Sequence, residues 1–291
     1  MFNLWKTTMA QSTDTLRRTL SFYSPPLDGS DPEYIEGTSE ESGRRNYPNR
    51  EESVLIRDMR GHHKSFTLDE HSFTVLPGVF DLNIDFTEPE EITERYLPWV
   101  DDLLRRNIPR VASVTTFNYT VRKASMTKTP IRQVHKIHID QSPKGAFMRA
   151  RRHLPTEDIT AIENGKAHFR IINVWKPIFR PVKDYPITAA EFRSLRATDL
   201  VPVRQVSSDY VGETYVAKYR DGQRFWYWSN MTPDDVFLIQ CFDSEEQSLE
   251  SVALGGLQHA QCAHGSFRLA DDVDESCTRE SIEVRCLVVI V

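Results

Sequence analysis

Cysteine is scarce in this 291-residue chain: Cys241, Cys262, Cys277 and Cys286 are the only four, and none falls in a CxxC pair. That excludes a paired-cysteine structural zinc and argues against a disulfide framework, so a reducing compartment is expected. No apolar run reaches the length that spans a bilayer, and the opening stretch "MFNLWKTTMAQSTDTLRRTL" holds no continuous apolar core of signal-peptide length. A soluble, cytoplasmic protein without a membrane partner is the expectation. Positive charge is not in excess either. The formal net charge is −6, and the basic residues are scattered apart from short clusters such as "RARRH" at 149–153, which speaks against nucleic acid as a partner. "SPKGA" after residue 141 is too short for a phosphate-binding loop, and no internal repeat is present.

What the chain does have is a hydrophobic fraction of 39% and an aromatic fraction of 10%, enough to bury a sizeable core. Residues 24–52, rich in Pro, Gly, Ser and charge, read as an extended arm or long surface loop. One domain over residues 1–291 is expected, with 1–52 forming an N-terminal strand, arm and loop region. "SVLIRDMRG" reads as a strand turning at Gly61, and "FTLDEHSFTVL" as a second strand. "EPEEITERYLPWVDDLLRRN" is the clearest helix: acidic residues crowd its start, and Ile92, Tyr96, Val100, Leu103 and Leu104 recur at helical spacing before Arg105 and Arg106. "DITAIENGK", "TAAEFRSLRATDL" and "SPKGAFMRARRHL" read as further helices. "RVASVTTFNYTV", "QVHKIHID", "HFRIINVWKPI", "ETYVAKY", "RFWYWS", "DVFLIQCFDS" and "SIEVRCLVVIV" are rich in β-branched and aromatic residues. The fold predicted is mainly β with flanking helices: a double-stranded β-helix core of the jelly-roll, cupin-like type, its helices packed outside one sheet.

"QVHKIHID" carries the chemistry. On a strand His138 and Asp140 face one way and His135 the other, so an imidazole and a carboxylate can share a metal. Two histidines with one carboxylate is the ligand set of non-haem Fe(II) oxygenases. A third ligand is supplied by His264 in "QCAHGSF", with His259 as its rival five residues earlier. Fifteen residues after His264, Arg279 opens "RESIEVR". An iron enzyme using 2-oxoglutarate needs such a guanidinium, planar and always charged, for the cosubstrate's far carboxylate. Arg279, Ser281, Glu283 and Arg285 share a face, so Arg279 and Ser281 are the expected anchor, while Arg285 reads more readily as a salt bridge to Glu283 or Glu280. "IINVWKPI" puts Asn173 and Trp175 on one strand face as pocket candidates.

In this order, "TLSFY", "DMRG", "FTLDEHSF", "VHKIHIDQSPKGA", "RRHLP", "IINVWKPI", "DLVPV", "GETYVAKY", "RFWYWSNMTPDDVFLIQCFDS" and "RESIEVRCLVV" make the chain resemble, over most of its length, a family of hydroxylases and desaturases. That family is related to gibberellin desaturase and to an accessory chain of cephamycin 7-α-methoxylation. The resemblance implies a jelly-roll oxygenase with Fe(II), 2-oxoglutarate as cosubstrate and O2, acting on a small natural-product substrate in secondary metabolism. Carried over, the iron ligands fall on His138, Asp140 and His264, and the arginine motif on Arg279 and Ser281. Two departures stand out: Ala263 and Gly265 flank the distal histidine where the family has larger or stiffer residues, and "FNYTVR" replaces an Asp-His-Thr run. Asn118, Tyr119, Arg122 and Arg285 therefore join Asn173 and Trp175 as pocket or cosubstrate contacts. A non-catalytic partner subunit and a metal enzyme independent of 2-oxoglutarate remain the alternatives. Nothing in the sequence specifies an oligomeric state.

Overall fold

In the computed structural model, residues 15–36, 43–122, 135–208, 210–247, 252–270 and 279–291 are described. They form β1 (Thr15–Tyr23), β2 (Glu33–Ile35), β3 (Arg44–Arg45), β4 (Asn49–Asp58), α1 (Leu68–His71) and β5 (Phe73–Leu76). Next, α2 (Pro89–Glu91) runs through a π turn (Ile92–Tyr96) into α3 (Leu97–Asn107), followed by β6 (Val111–Arg122), β7 (His138–Ile139), α4 (Pro143–His153) and α5 (Thr156–Glu163). The remaining strands are β8 (His168–Pro177), β9 (Ile187–Ala190), β10 (Leu200–Val206), β11 (Val211–Ala217), β12 (Phe225–Tyr227), β13 (Val236–Asp243), β14 (His264–Ser266) and β15 (Ser281–Ile290). One sheet has the order β1-β4-β12-β9-β14-β7-β11-β10-β2-β3 and the other β5-β13-β8-β15-β6. Pairing is antiparallel except for β10 with β2 and β12 with β4. The two curled sheets make the jelly roll that the strand pattern predicts.

Alternation along β15 shows how the sequence divides its two faces. Ile282, Val284, Cys286, Val288 and Ile290 turn outward into a cluster with Tyr96, Val100, Leu103 and Leu104 of the π turn and α3. Each leucine buried there contributes roughly 1.5–3 kcal/mol. This is the helical layer expected outside one sheet. On the inward face, Leu287 and Val289 join a second cluster with Phe169, Ile171, Phe237 and Ile239, whereas Ser281, Glu283 and Arg285 are polar. The inner face is thus apolar at one end and charged at the other, and the charged end is where the site lies.

Four expectations are corrected. "FTLDEHSFTVL" is not one strand: the Thr67 hydroxyl accepts from the Glu70 N–H at 3.1 Å, starting α1, and Ser72 at φ 65° turns the chain into β5. "TAAEFRSLRATDL" is not a helix. Its first residues pair as β9 with β12 and β14, and the rest forms two 3-10 turns, Phe192–Ser194 and Ala197–Asp199. Asp199 holds the second turn in place by accepting from the Arg196 N–H and from the Arg220 side chain. Of "QVHKIHID", only His138–Ile139 is regular strand, and Gln133 and Val134 lie outside the described residues. Within 24–52, read as arm or loop, Glu33–Ile35 pairs with β10 and with Arg44–Arg45, and β4 begins at Asn49. β10, which the sequence reading does not include among its strands, contains Pro202. β2 pairs only with Arg204–Val206, so the N–H that proline lacks is not needed there. Cys277 lies outside the described residues, and the other three cysteines are buried free thiols.

One buried cation sits in the outer cluster. Lys176 of β8 is fully buried, its Nζ has no hydrogen-bond partner, and it stands 3.4 Å from the centre of the Phe80 ring and 5.0 Å from that of Phe86. Burial pushes its pKa from 10.5 down to about 7, with Asp234 only partly opposing. Between about pH 7 and 10.5 the unfolded chain holds this proton and the folded chain does not, so the folded state gains stability as pH rises. Below pH 7 both states are protonated and the cost is constant. Lys176→Met is therefore expected to be more stable than the parent at pH 6. The gap should shrink towards pH 10 by at most about 1.4 kcal/mol per pH unit. Urea unfolding of the two proteins across this range measures it, and the buried thiols cancel in the difference.

Candidate metal centre

Strand register brings the site together. His264 of β14 is the direct cross-strand partner of His138 of β7, so both imidazoles project from the same face. On the other side of His264 the cross-strand partner is Ala189, whose methyl group leaves room for the ring. The two ring centres are 4.6 Å apart. Asp140, two residues beyond His138, completes a trio whose ligating atoms lie within 4.8 Å of one another. His138 Nε2 is 3.3 Å from Asp140 Oδ1.

Each ligand is oriented from behind. His138 Nδ1 is 2.8 Å from the Lys136 carbonyl and His264 Nδ1 is 3.1 Å from the Cys262 carbonyl. A carbonyl can only accept, so both rings carry a proton on Nδ1, which leaves Nε2 as the atom turned to the trio. Asp140 Oδ2 accepts from Arg285 Nε and from Asn173 Nδ2, each at 2.8 Å. Burial alone would raise the Asp140 carboxyl, but Arg285 and the two histidines hold it well below the usual carboxylate range. Burial and the neighbouring His138 lower the pKa of His264, which favours the neutral ring that a metal requires.

The small residues around the distal histidine have a steric reason. A Cβ on Gly265 would meet both Ile137 Cδ1 and the Lys136 carbonyl at 3.0 Å, and Ala263 is fully buried. Larger neighbours would push β14 away from β7.

At the opening of β15, Arg279 is buried and its guanidinium meets no carboxylate among the described residues. Nη1 donates to the Tyr185 carbonyl at 2.6 Å, the backbone N–H donates to Asp184, Nε has no partner, and Cζ stands 5.2 Å over the Trp175 ring. Burial, then Arg122, pushes its pKa down to about 10, so it is still charged at neutral pH. The Ser281 hydroxyl is also buried without a partner, and Arg122, its cross-strand partner, has a buried Nε without one. These orphaned donors suit an anionic group bound alongside the metal. Trp175 further lines an apolar crevice with Val182, Ile187, Trp228, Met231 and Phe237.

The other candidates separate by strand face. Asn118 faces inward and accepts from Arg285 Nη1 at 3.0 Å, and Arg122 pairs with Glu283 at 3.2 Å. Tyr119 is corrected: alternation on β6 turns it outward, against the helical layer. Arg285 pairs with Glu283 at 2.8 Å and also reaches Asp140. Glu283 was noticed only as a salt-bridge partner, yet it accepts from Arg122, Arg285 and Asn173. The signal for its importance was its position between Ser281 and Arg285 on the inward face. His135 lies outside the trio, with its ring against Tyr185 and its Nδ1 3.1 Å from the Ser266 hydroxyl. His259 instead lies tilted against the Phe242 ring, 4.9 Å between centres. A second trio, His168, Asp243 and Glu245, is also close enough to share an ion, but Arg170 already pairs with Asp243 at 2.8 Å.

The fold is a jelly roll that brings two histidines and one carboxylate together as a candidate metal centre. The chain belongs to the family described as the oxidoreductase/YMDC permease-like domain, whose family model matches residues 20–289. It is 30% identical over 290 residues to the hydroxylase/desaturase CTB9 of Cercospora beticola, covering 90% of this chain and 83% of that protein. To the Fe(II)/2-oxoglutarate-dependent dioxygenase nvfI of Aspergillus novofumigatus it is 26% identical over 243 residues, covering 81% and 82%. The solved structure of the iron and alpha-ketoglutarate-dependent endoperoxidase NvfI superposes with a TM-score of 0.78 at 23% identity, over 95% of this chain and 98% of that one. The resemblance to hydroxylases and desaturases stands, as does the jelly-roll fold. Among the described residues no helix is long and apolar enough to cross a membrane.

The segment after Asp140 is built to tight tolerance. Ser142 caps α4 by accepting from the Gly145 N–H at 3.1 Å and donates to Glu213 at 2.6 Å. A Cβ on Gly145 would lie 2.1 Å from the Glu213 carbonyl oxygen, a backbone atom that cannot swing aside. Gly145→Ala is expected to destabilise the protein by about 1–3 kcal/mol, the usual cost of overpacking. Denaturant unfolding of parent and variant measures it.

Proposed function

We infer that the protein is an Fe(II)- and 2-oxoglutarate-dependent oxygenase acting on a small natural-product molecule, with His138, Asp140 and His264 as metal ligands. One observation supports this most directly: three ligating side chains converge within 4.8 Å beside a buried arginine and serine whose polar atoms have no partners. Bound iron, with 2-oxoglutarate and O2, supplies the oxidising chemistry that removes hydrogen from an unactivated C–H bond and leads to hydroxylation or desaturation.

The chain's own residues do the rest. His138 and His264 offer Nε2 because their Nδ1 protons are committed to backbone carbonyls. Asp140 neutralises part of the metal's charge. Three protein ligands leave positions open for small molecules. Arg279, oriented by the Tyr185 carbonyl and lying over Trp175, presents Nε to the far carboxylate of the cosubstrate, and Ser281 donates its hydroxyl. The apolar surroundings strengthen this pairing by keeping water from competing. Positioning of a substrate C–H against the centre, with water excluded, decides which oxidation occurs.

Anaerobic titration of the Fe(II)-loaded protein with 2-oxoglutarate tests this through the weak visible charge-transfer band of bidentate chelation. The parent is expected to show the band and His264→Ala to lose it. Arg279→Ala should bind 2-oxoglutarate more weakly by about 2–5 kcal/mol, the usual cost of truncating one partner of a buried charge pair. An iron-bound parent that shows no band would sink the 2-oxoglutarate assignment.

A further inference from the structure

The carboxylate of Asp140 is held on one side only. Oδ2 accepts two hydrogen bonds, from Arg285 Nε and from Asn173 Nδ2, each at 2.8 Å, while Oδ1 is the oxygen that faces His138 Nε2 at 3.3 Å. Arg285 is itself fixed at every nitrogen. Its Nη2 donates to Glu283 at 2.8 Å, and its Nη1 donates to Asn118 at 3.0 Å and to Thr120 at 3.3 Å. Asn173 is fixed too. Its Nδ2 also donates to Glu283 Oε1 at 3.0 Å, and because both of its neighbours are carboxylate oxygens, the amide can be oriented only one way. Arg122 closes the row by donating to Glu283 Oε2 at 3.2 Å. The result is an alternating line of charge, Arg122, Glu283, Arg285, Asp140, that runs from β6 and β15 of one sheet to the residue that follows β7 in the other. Arg285 is the direct cross-strand partner of both Asn118 and Asn173.

We propose that Arg285, supported by Asn173, is a positioning residue that commits Asp140 Oδ2 to the protein, so that only Oδ1 is offered to the metal. A free carboxylate can chelate with both oxygens and take up a position needed by a small-molecule ligand. A carboxylate with one oxygen tied into two charge-assisted or amide hydrogen bonds binds through the other. The same pairing offsets the charge that Asp140 brings to the centre. It also spends four of the five Arg285 N–H groups on protein acceptors, which leaves the cosubstrate to Arg279. The proposal rests on the assignment of Asp140 as a metal ligand.

Co(II) binding to the metal-free protein separates the two ideas, because the visible bands of cobalt report coordination number without turnover. The parent is expected to bind Co(II) with a well-defined spectrum. Arg285→Lys restores the charge but not the fixed fork, and Asn173→Leu removes one donor with no change of net charge. Both variants are expected to show altered band intensity and position and a change of about 10–100-fold in Co(II) affinity. Asn173→Leu keeps the test open even if a change at Arg285 prevents folding, and circular dichroism confirms that the variants compared are folded. A parent that binds Co(II) while folded variants reproduce its spectrum and affinity would overturn the positioning role alone. A parent that binds no Co(II) would overturn the metal-ligand assignment and the proposal with it.

Discussion

The register of β14 against β7 is the constraint on which the site depends. His264 stands directly opposite His138, and the period of a strand is two, so a slip of one residue would turn the distal imidazole to the opposite face. Everything near this pairing serves it. Gly265 and Ala263 keep the strands close, Ala189 clears space for the ring, and backbone carbonyls set both tautomers. The pairing is short, since β14 has only three residues, and it is held on its other edge by β9.

Around that pairing the protein tolerates a large buried charge because the charges alternate. Asp140, Arg285, Glu283 and Arg122 follow one another in space, and each carboxylate is flanked by at least one guanidinium. A single buried charge would be costly, and removing one member would leave its neighbours uncompensated. Arg279 is the exception, a buried cation with no carboxylate on its guanidinium among the described residues.

The other face of the same sheet packs into an apolar cluster with the helical layer. The outward residues of β8 and β15 bury against the π turn and α3, so the inward residues are presented from a fixed wall. The π turn ends just before Pro98, which has no N–H to continue the regular helical ladder. Packing outside and chemistry inside are separated by nothing more than strand alternation.

That alternation is why so much was legible from residue order alone. It put His138 and Asp140 together, set Ser281, Glu283 and Arg285 on one face, and assigned the apolar residues of β15 to the other. Local signals also served for α3, whose apolar residues recur at helical spacing and whose last turn holds Arg105 and Arg106. They failed where a cap or a neighbouring strand outweighed propensity, as at Thr67 and along Ile187–Ala190. The sequence by itself determined the fold class, the residue types of the candidate metal centre and which residues of a strand share a face, because these follow from composition and a period of two. Only the tertiary structure decided that His264 rather than His259 meets His138, that Tyr119 turns away, and that Arg285 reaches Asp140 across 145 positions of chain. Those outcomes depend on which strands become neighbours and in what register, and strand neighbours far apart in the chain leave no local trace in it.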